Sequence, residues 1–125
     1  MAWTHYQDLI VWQKSMDLTD EVYRLAALLP KSECFSLADQ MRRAAVSVPS
    51  NIAEGHGRQT EKEFRQFLCV ARGSLYELET QLIICIRRGF LSSEQSGTAM
   101  SLCREVGKML TKMTTPGSVP LKTEN

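Results

Sequence analysis

The sequence predicts an all-α protein, an antiparallel up-down-up-down bundle of four helices. Three observations carry that expectation. Four stretches repeat apolar residues at steps of three and four, each is bounded by capping or helix-breaking residues, and no stretch alternates apolar and polar with period two. Short connections between successive helices favour antiparallel neighbours. A chain of 125 residues is long enough to bury one core without disulfide or metal staples. The bundle domain is placed at residues 1–114 and a disordered tail at 115–125.

The first helix is expected from about Asp8 to Leu29, because two apolar seams run along it. One is Leu9, Trp12, Met16, Thr19, Tyr23, Ala26; the other is Val11, Ser15, Leu18, Val22, Leu25, Leu29. Pro30 ends it, since proline pushes its predecessor out of the helical region. The second helix opens at Ser36 as N-cap, with Asp39 completing a weak capping box, and closes at Gly55. Its buried seam is Ala38, Met41, Ala45, Val48, Ile52. Pro49 lies inside it, where it removes a backbone donor, frees the carbonyl of Ala45 and favours a kink.

Thr60 and Glu63 form a second capping box and open the third helix, which runs to about Arg88, a rod of roughly 43 Å at 1.5 Å per residue. Phe64, Phe67, Leu68, Ala71, Leu75, Leu78, Leu82 and Ile86 make its core seam, and Gly89 terminates it. Ser92 with Gln95 caps the fourth helix, whose seam of Ala99, Leu102, Val106, Met109, Leu110 and Met113 continues to about Thr114. Pro116, Gly117 and Pro120 then stop any helix.

One stripe of the second helix is polar where a core helix is apolar. It reads Leu37, Gln40, Ala44, Ser47, Asn51, Glu54, Arg58, beside the pair Arg42-Arg43. A buried amide or carboxylate without a partner costs several kcal/mol, so the stripe implies partner groups on a facing helix or a second subunit. Folding the second helix back on the third through residues 56–59 sets residue numbers summing to about 118 side by side. Arg43 and Gln40 then fall near Ser74 and Glu77, Asn51 and Ser47 near Phe67 and Val70, and Arg43 is expected to pair with Glu77. The structural network expected is therefore Gln40, Arg43, Ser47, Asn51, Glu54, Ser74 and Glu77, with Asn51 and Glu54 held by hydrogen bonds.

Acid-base catalysis by Glu54 and Glu77 is disfavoured, because they stand several turns apart and no histidine or cysteine converges on them. His5 and His56, in a terminus and a turn, are expected to be solvated, and no Glu-x-x-His motif for a di-iron bundle occurs. No enzyme, metal site or cofactor is expected. Fifteen basic against fourteen acidic residues give a net charge of +1, so the chain is not basic overall. The longest apolar run, Leu82 to Ile86, is too short to span a bilayer, and the N-terminus has neither a basic nor an apolar signal region. Cys34, Cys69, Cys85 and Cys103 show no CxxC spacing and are expected to be buried free thiols in a reducing cytoplasm.

The chain resembles the bacterial four-helix-bundle proteins encoded in intervening sequences of 23S ribosomal RNA genes, relatives of the accessory proteins of diversity-generating retroelements. The residues that carry the resemblance are Leu9-Ile10-Val11-Trp12-Gln13, Leu29-Pro30 with Glu33 and Leu37, and Gln40-x-Arg42-Arg43-Ala44 with Ser47 and Asn51-Ile52-Ala53-Glu54-Gly55. The third helix adds Phe64, Phe67-Leu68, Ala71, Gly73-Ser74-Leu75, Glu77-Leu78-Glu79 and Gln81-Leu82. The resemblance covers about Tyr6 to Phe90; Tyr6 and Ser36 stand where the family usually has Phe and Gly. It implies a bundle that assembles into a ring of five, with no known catalytic activity. For the retroelement relatives it also implies a basic surface contacting nucleic acid and a reverse transcriptase as partner.

Arg58, Lys62, Arg65 and Arg72 recur at steps of four, three and seven, on one side of the third helix and its entry, with Arg87 and Arg88 at its far end. Such a face suits the phosphate backbone of RNA or DNA, since Lys and Arg contacts release counterions irrespective of sequence. No aromatic residues are interleaved for base stacking, so backbone contacts are expected rather than base reading. The competing class is a cytosolic protein–protein scaffold. Two apolar seams on the first helix exceed what one core consumes, so a partner subunit is expected to cover the surplus.

Overall fold

The structure, a computed structural model, describes residues 5–116. Among these there are four helices and no strand: α1 at Ile10–Ala26, α2 at Leu37–His56, α3 at Glu61–Arg87 and α4 at Ser93–Met113. Each helix packs against two others, α1 and α3 both against α2 and α4, while the α1 and α3 backbones stay more than 8 Å apart between Cα atoms. Pairs such as Thr19 with Ala45, Ser47 with Ser74 and Arg72 with Thr114 tie the helices together. None of the helices is long and apolar enough to cross a membrane among the described residues.

α1 is shorter than its seams suggest. Tyr6–Asp8 form a 3-10 turn, Leu9 is extended, and Gln13 reaches back to donate its side-chain amide to the Gln7 carbonyl at 2.9 Å. At its other end the chain tightens into a turn over Ala27–Leu29, with Leu28 N–H on the Leu25 carbonyl, ahead of Pro30. The second seam is the buried one: Val11, Ser15, Leu18, Val22 and Leu25 line the core, whereas Met16 and Tyr23 of the first seam are exposed and Trp12 is half-buried.

α2 begins where expected, but Ser36 does not cap it. The Ser36 hydroxyl donates to Glu33 at 3.0 Å instead, and Asp39 pairs with Arg43 in place of closing a capping box. The helix runs through Pro49, and the Ala45 carbonyl freed there lies 3.2 Å from the Thr19 hydroxyl of α1. Gly55 is not the terminator. It is buried inside the helix, which continues to His56 with Gly57 as C-cap. What Gly55 supplies is proximity: a Cβ there would sit 2.5 Å from Cβ of Phe67 and 3.3 Å from the Phe64 carbonyl, so α2 and α3 touch backbone to backbone.

α3 starts as expected at Thr60, whose hydroxyl accepts from Glu63 N–H at 3.1 Å and donates to the Glu63 carboxylate at 3.1 Å, so that carboxylate does not return to the Thr60 backbone. Gly89, with φ of +77°, terminates it. Gly89 N–H donates to Ile86 and Phe90 N–H to Cys85 at 2.9 Å, the two bonds of a Schellman turn. α4 opens on a full capping box between Ser92 and Gln95. The core formed between the helices contains Leu18, Val22, Leu25, Met41, Val48, Ile52, Phe64, Leu68, Leu75, Leu78, Leu82 and Leu110, each under 2 % exposed. Thr115 and Pro116 follow α4, and the remainder of the expected tail lies outside the described residues.

Candidate nucleic-acid interface

The polar stripe of α2 meets α3 in a shallow cleft of about 490 Å³ lined by Gln40, Arg43, Ala44, Ser47, Ser74 and Glu77. Five of the seven residues expected to form a network are thus brought together. Ser47 and Ser74 share a hydrogen bond of 2.7 Å, and Asn51 donates to the Ser47 carbonyl at 2.8 Å and to its hydroxyl at 3.0 Å. The facing register differs from the one expected: Ser47 meets Ser74, four residues beyond Val70, and Gly55 lies against Phe67 and Phe64.

The Arg43–Glu77 pair is not made. Arg43 bonds Asp39 one turn earlier on its own helix, with its side chain 76 % exposed, and Glu77 accepts from the Gln81 amide at 3.3 Å. An i,i+4 pair holds both charges at water's edge and spares the desolvation a buried cross-helix pair would require. The Arg43 guanidinium, by hydrogen bond and charge, holds the Asp39 carboxyl below the usual carboxylate range. Glu54 is exposed and bound to Arg58 at 3.1 Å, so it belongs to the basic face and not to the cleft.

The basic residues have neighbours that the sequence did not disclose. Arg58, besides its bond to Glu54, lies 4.7 Å over the Phe67 ring. Arg65 pairs with Glu61 at 3.1 Å, its side chain 25 % exposed, and Arg72 is half-buried where it donates to the Thr114 hydroxyl at 2.9 Å. Lys62, Arg87 and Arg88 are exposed. Arg72 therefore leans toward the end of α4, while Arg65 lies along its own helix against Glu61.

A second row of cations completes that side. Arg104, Lys108 and Lys112 succeed one another at steps of four on α4 and, with Tyr76 and Glu79 of α3, line a cleft of about 470 Å³. The step of four was legible in the sequence; that it faces α3 was not. Charge is segregated as a result. From Arg58 to Met113 there are nine basic and six acidic residues, and from His5 to Gly57 five basic and seven acidic.

The histidine expectation fails for His56, which is 8 % exposed and stands edge-on to Phe64 with ring centres 5.8 Å apart. It closes α2 as a packed residue rather than sitting in a solvated turn. The thiol expectation holds for half the set: Cys85 and Cys103 are buried, Cys34 and Cys69 exposed. Burial pushes the Cys85 thiol up to about 11 and that of Cys103 up to about 12. Cys85 spends its S–H on the Met41 sulfur at 3.5 Å. No group of three or more histidine, cysteine, aspartate or glutamate residues suited to a metal ion occurs among the described residues.

A family model described as 23S rRNA-intervening sequence protein matches residues 7–112 of the chain. No curated protein matches it. A solved structure of a protein of unknown function from the S23 ribosomal protein family, from Bacteroides thetaiotaomicron VPI-5482, is similar in fold, with a TM-score of 0.79. The two are 24 % identical, and the match covers 85 % of this chain and 99 % of that one.

Proposed function

The chain belongs to the 23S rRNA-intervening sequence protein family, and on that premise we propose that it is a non-enzymatic, ring-forming bundle that holds the backbone of structured RNA or DNA on its α3 side. In this reading the four helices follow the up-down-up-down order, and the ring has the five-fold symmetry that the sequence resemblance implies. The observation that carries the reading is the charge segregation. A chain of net charge +1 carries nine basic against six acidic residues from Arg58 to Met113, and five against seven from His5 to Gly57. Repeated by rotation, that asymmetry becomes a positive belt, which attracts a polyanion that one copy would hold only weakly. Lys62, Arg87 and Arg88 are exposed contacts, while Arg58, Arg65 and Arg72 exchange a carboxylate or a hydroxyl for phosphate.

The test is binding of the assembled protein to a structured RNA and to duplex DNA at two salt concentrations. Affinity should fall steeply with salt and differ little between unrelated sequences. On duplex DNA, each cation neutralised among Lys62→Gln, Arg65→Gln, Arg87→Gln and Arg88→Gln should reduce the logarithmic salt slope by about 0.9. Binding that is negligible, or indifferent to salt, overturns the reading. One observation favours a protein scaffold as the second reading: Val70, Tyr76, Ile83 and Ile84 of α3 are each at least 40 % exposed.

A further inference from the structure

We infer that the groove between α3 and α4 takes an unpaired nucleotide of an RNA or DNA strand, its base against the Tyr76 ring and its phosphate among Arg104, Lys108 and Lys112. This rests on the nucleic-acid reading above and deepens it, adding to backbone contact a site for single-stranded loops, bulges and ends.

The cations of α4 stand ready for an anion. Arg104, Lys108 and Lys112 are exposed along the groove, and at 1.5 Å per residue each step of four moves the charge roughly 6 Å along it. Among the described residues these three form no ion pair, whereas Lys14, Arg24, Arg43, Arg58 and Arg65 each hold a carboxylate. A phosphate that reaches them displaces counterions only, and no internal contact is given up.

Beside the charge lies an uncovered ring. Tyr76 is 50 % exposed, and among the described residues neither another ring nor a guanidinium covers it. Across from it Gly107 keeps the groove open: a Cβ there would reach 3.4 Å from the Leu75 side chain, so the glycine leaves a core leucine as the floor. The cleft of about 470 Å³ falls within the roughly 300–1,000 Å³ of small-ligand sites.

A nucleotide supplies what both features require, a flat ring and a phosphate joined to it. A blunt duplex keeps its bases stacked inside, so it can use the cations but not the ring. A run of carboxylates brings charge without the ring. Glu79, half-buried in the same groove, disfavours a second phosphate and can accept from the amino and hydroxyl groups of a base and ribose. The sequence shows no aromatic residue interleaved with the basic row of α3; the fold sets Tyr76 beside the basic row of α4 instead. Because every base has a flat face, such a site favours unpaired strand without reading its sequence.

Fluorescence anisotropy of the full chain, with circular dichroism as the check on folding, tests this on three labelled RNAs. They are a blunt duplex, the same duplex with a single-stranded overhang, and that duplex with an abasic overhang. The natural sequence should bind the overhang RNA about tenfold more tightly than the other two, since stacking one base on one ring carries at least that much. Tyr76→Ala should abolish the preference and leave blunt-duplex affinity unchanged, while Tyr76→Trp should keep it. On a single strand, Lys108→Gln with Lys112→Gln should lower the logarithmic salt slope by about 0.7 per charge. Poly-glutamate should bind the natural protein and Tyr76→Ala alike; capture of it that depends on Tyr76 would assign the groove to acidic protein and overturn the proposal. If none of the three RNAs binds, the nucleic-acid reading fails and the site falls with it. If they bind without preference, or the preference survives Tyr76→Ala or the abasic overhang, backbone binding stands and the groove is rejected.

Discussion

Replacing Gly55 by alanine opposes two effects of known size. Gly55 lies within α2 with an ordinary helical φ, so alanine should gain up to about 1 kcal/mol of helix propensity. The added methyl, however, would stand 2.5 Å from Cβ of Phe67 and 3.1 Å from the Phe64 ring. Ordinary carbon contacts lie at about 3.5–4.0 Å, so α2 and α3 must part by roughly 1 Å. Overpacking of that kind costs about 1–3 kcal/mol, and the contacted Cβ is anchored to backbone, which places the effect at the upper end. The net is about 2 kcal/mol of destabilisation, or about 8 °C in Tm for a unit of this size. Thermal melts followed by circular dichroism read it directly. Gly97→Ala is the control, since nothing lies within 4 Å of a Cβ there, and it should melt at or slightly above the natural sequence. Phe67→Ala should not rescue Gly55→Ala, because the clashing atom remains. A Gly55→Ala protein that melts no lower than its parent would refute the close-approach argument.

Thr19→Val should cost about 1–2 kcal/mol, because it removes a hydroxyl whose single proton is shared between the Ser15 carbonyl at 2.8 Å and the buried Ala45 carbonyl at 3.2 Å. In a Pro49→Ala background, where residue 49 regains its N–H, the same change should cost about 1 kcal/mol less; urea unfolding of the four proteins tests this, and strict additivity would rule the contact out. The buried thiols make stability sensitive to alkali. Cys85 and Cys103 are raised from an ordinary 9.0 to about 11 and about 12, so above pH 9 the unfolded chain releases protons that the folded one retains. Stability should then fall by about 1.4 kcal/mol per pH unit per thiol until the folded values are reached. Cys85→Ala with Cys103→Ala should flatten that decline, and an unchanged slope in urea melts from pH 8.5 to 10.5 would contradict the burial.

Local chemistry was readable wherever it depends on neighbours in sequence. The seams of all four helices, the caps at Thr60 and Ser92, the Gly89 terminator and the donor missing at Pro49 follow from spacing and backbone sterics over a turn or two. The Asn51-Ile52-Ala53-Glu54-Gly55 block was equally legible as a family signature. What required the tertiary structure is the choice of partner. A periodic stripe states which side chains share a face but not what lies opposite, so Ser47 with Ser74 was missed by four residues. Arg43 had two carboxylates within reach in principle, and the one on its own helix was taken. Gly55 and His56 read as a helix end and a solvated turn because glycine and histidine are common there; only the approach of Phe64 and Phe67 makes them packed residues. Likewise, nothing in the period of four at Arg104, Lys108 and Lys112 says that Tyr76 lies beside it. Sequence determines faces through the geometry of one helix, and the juxtaposition of faces depends on how close two backbones come.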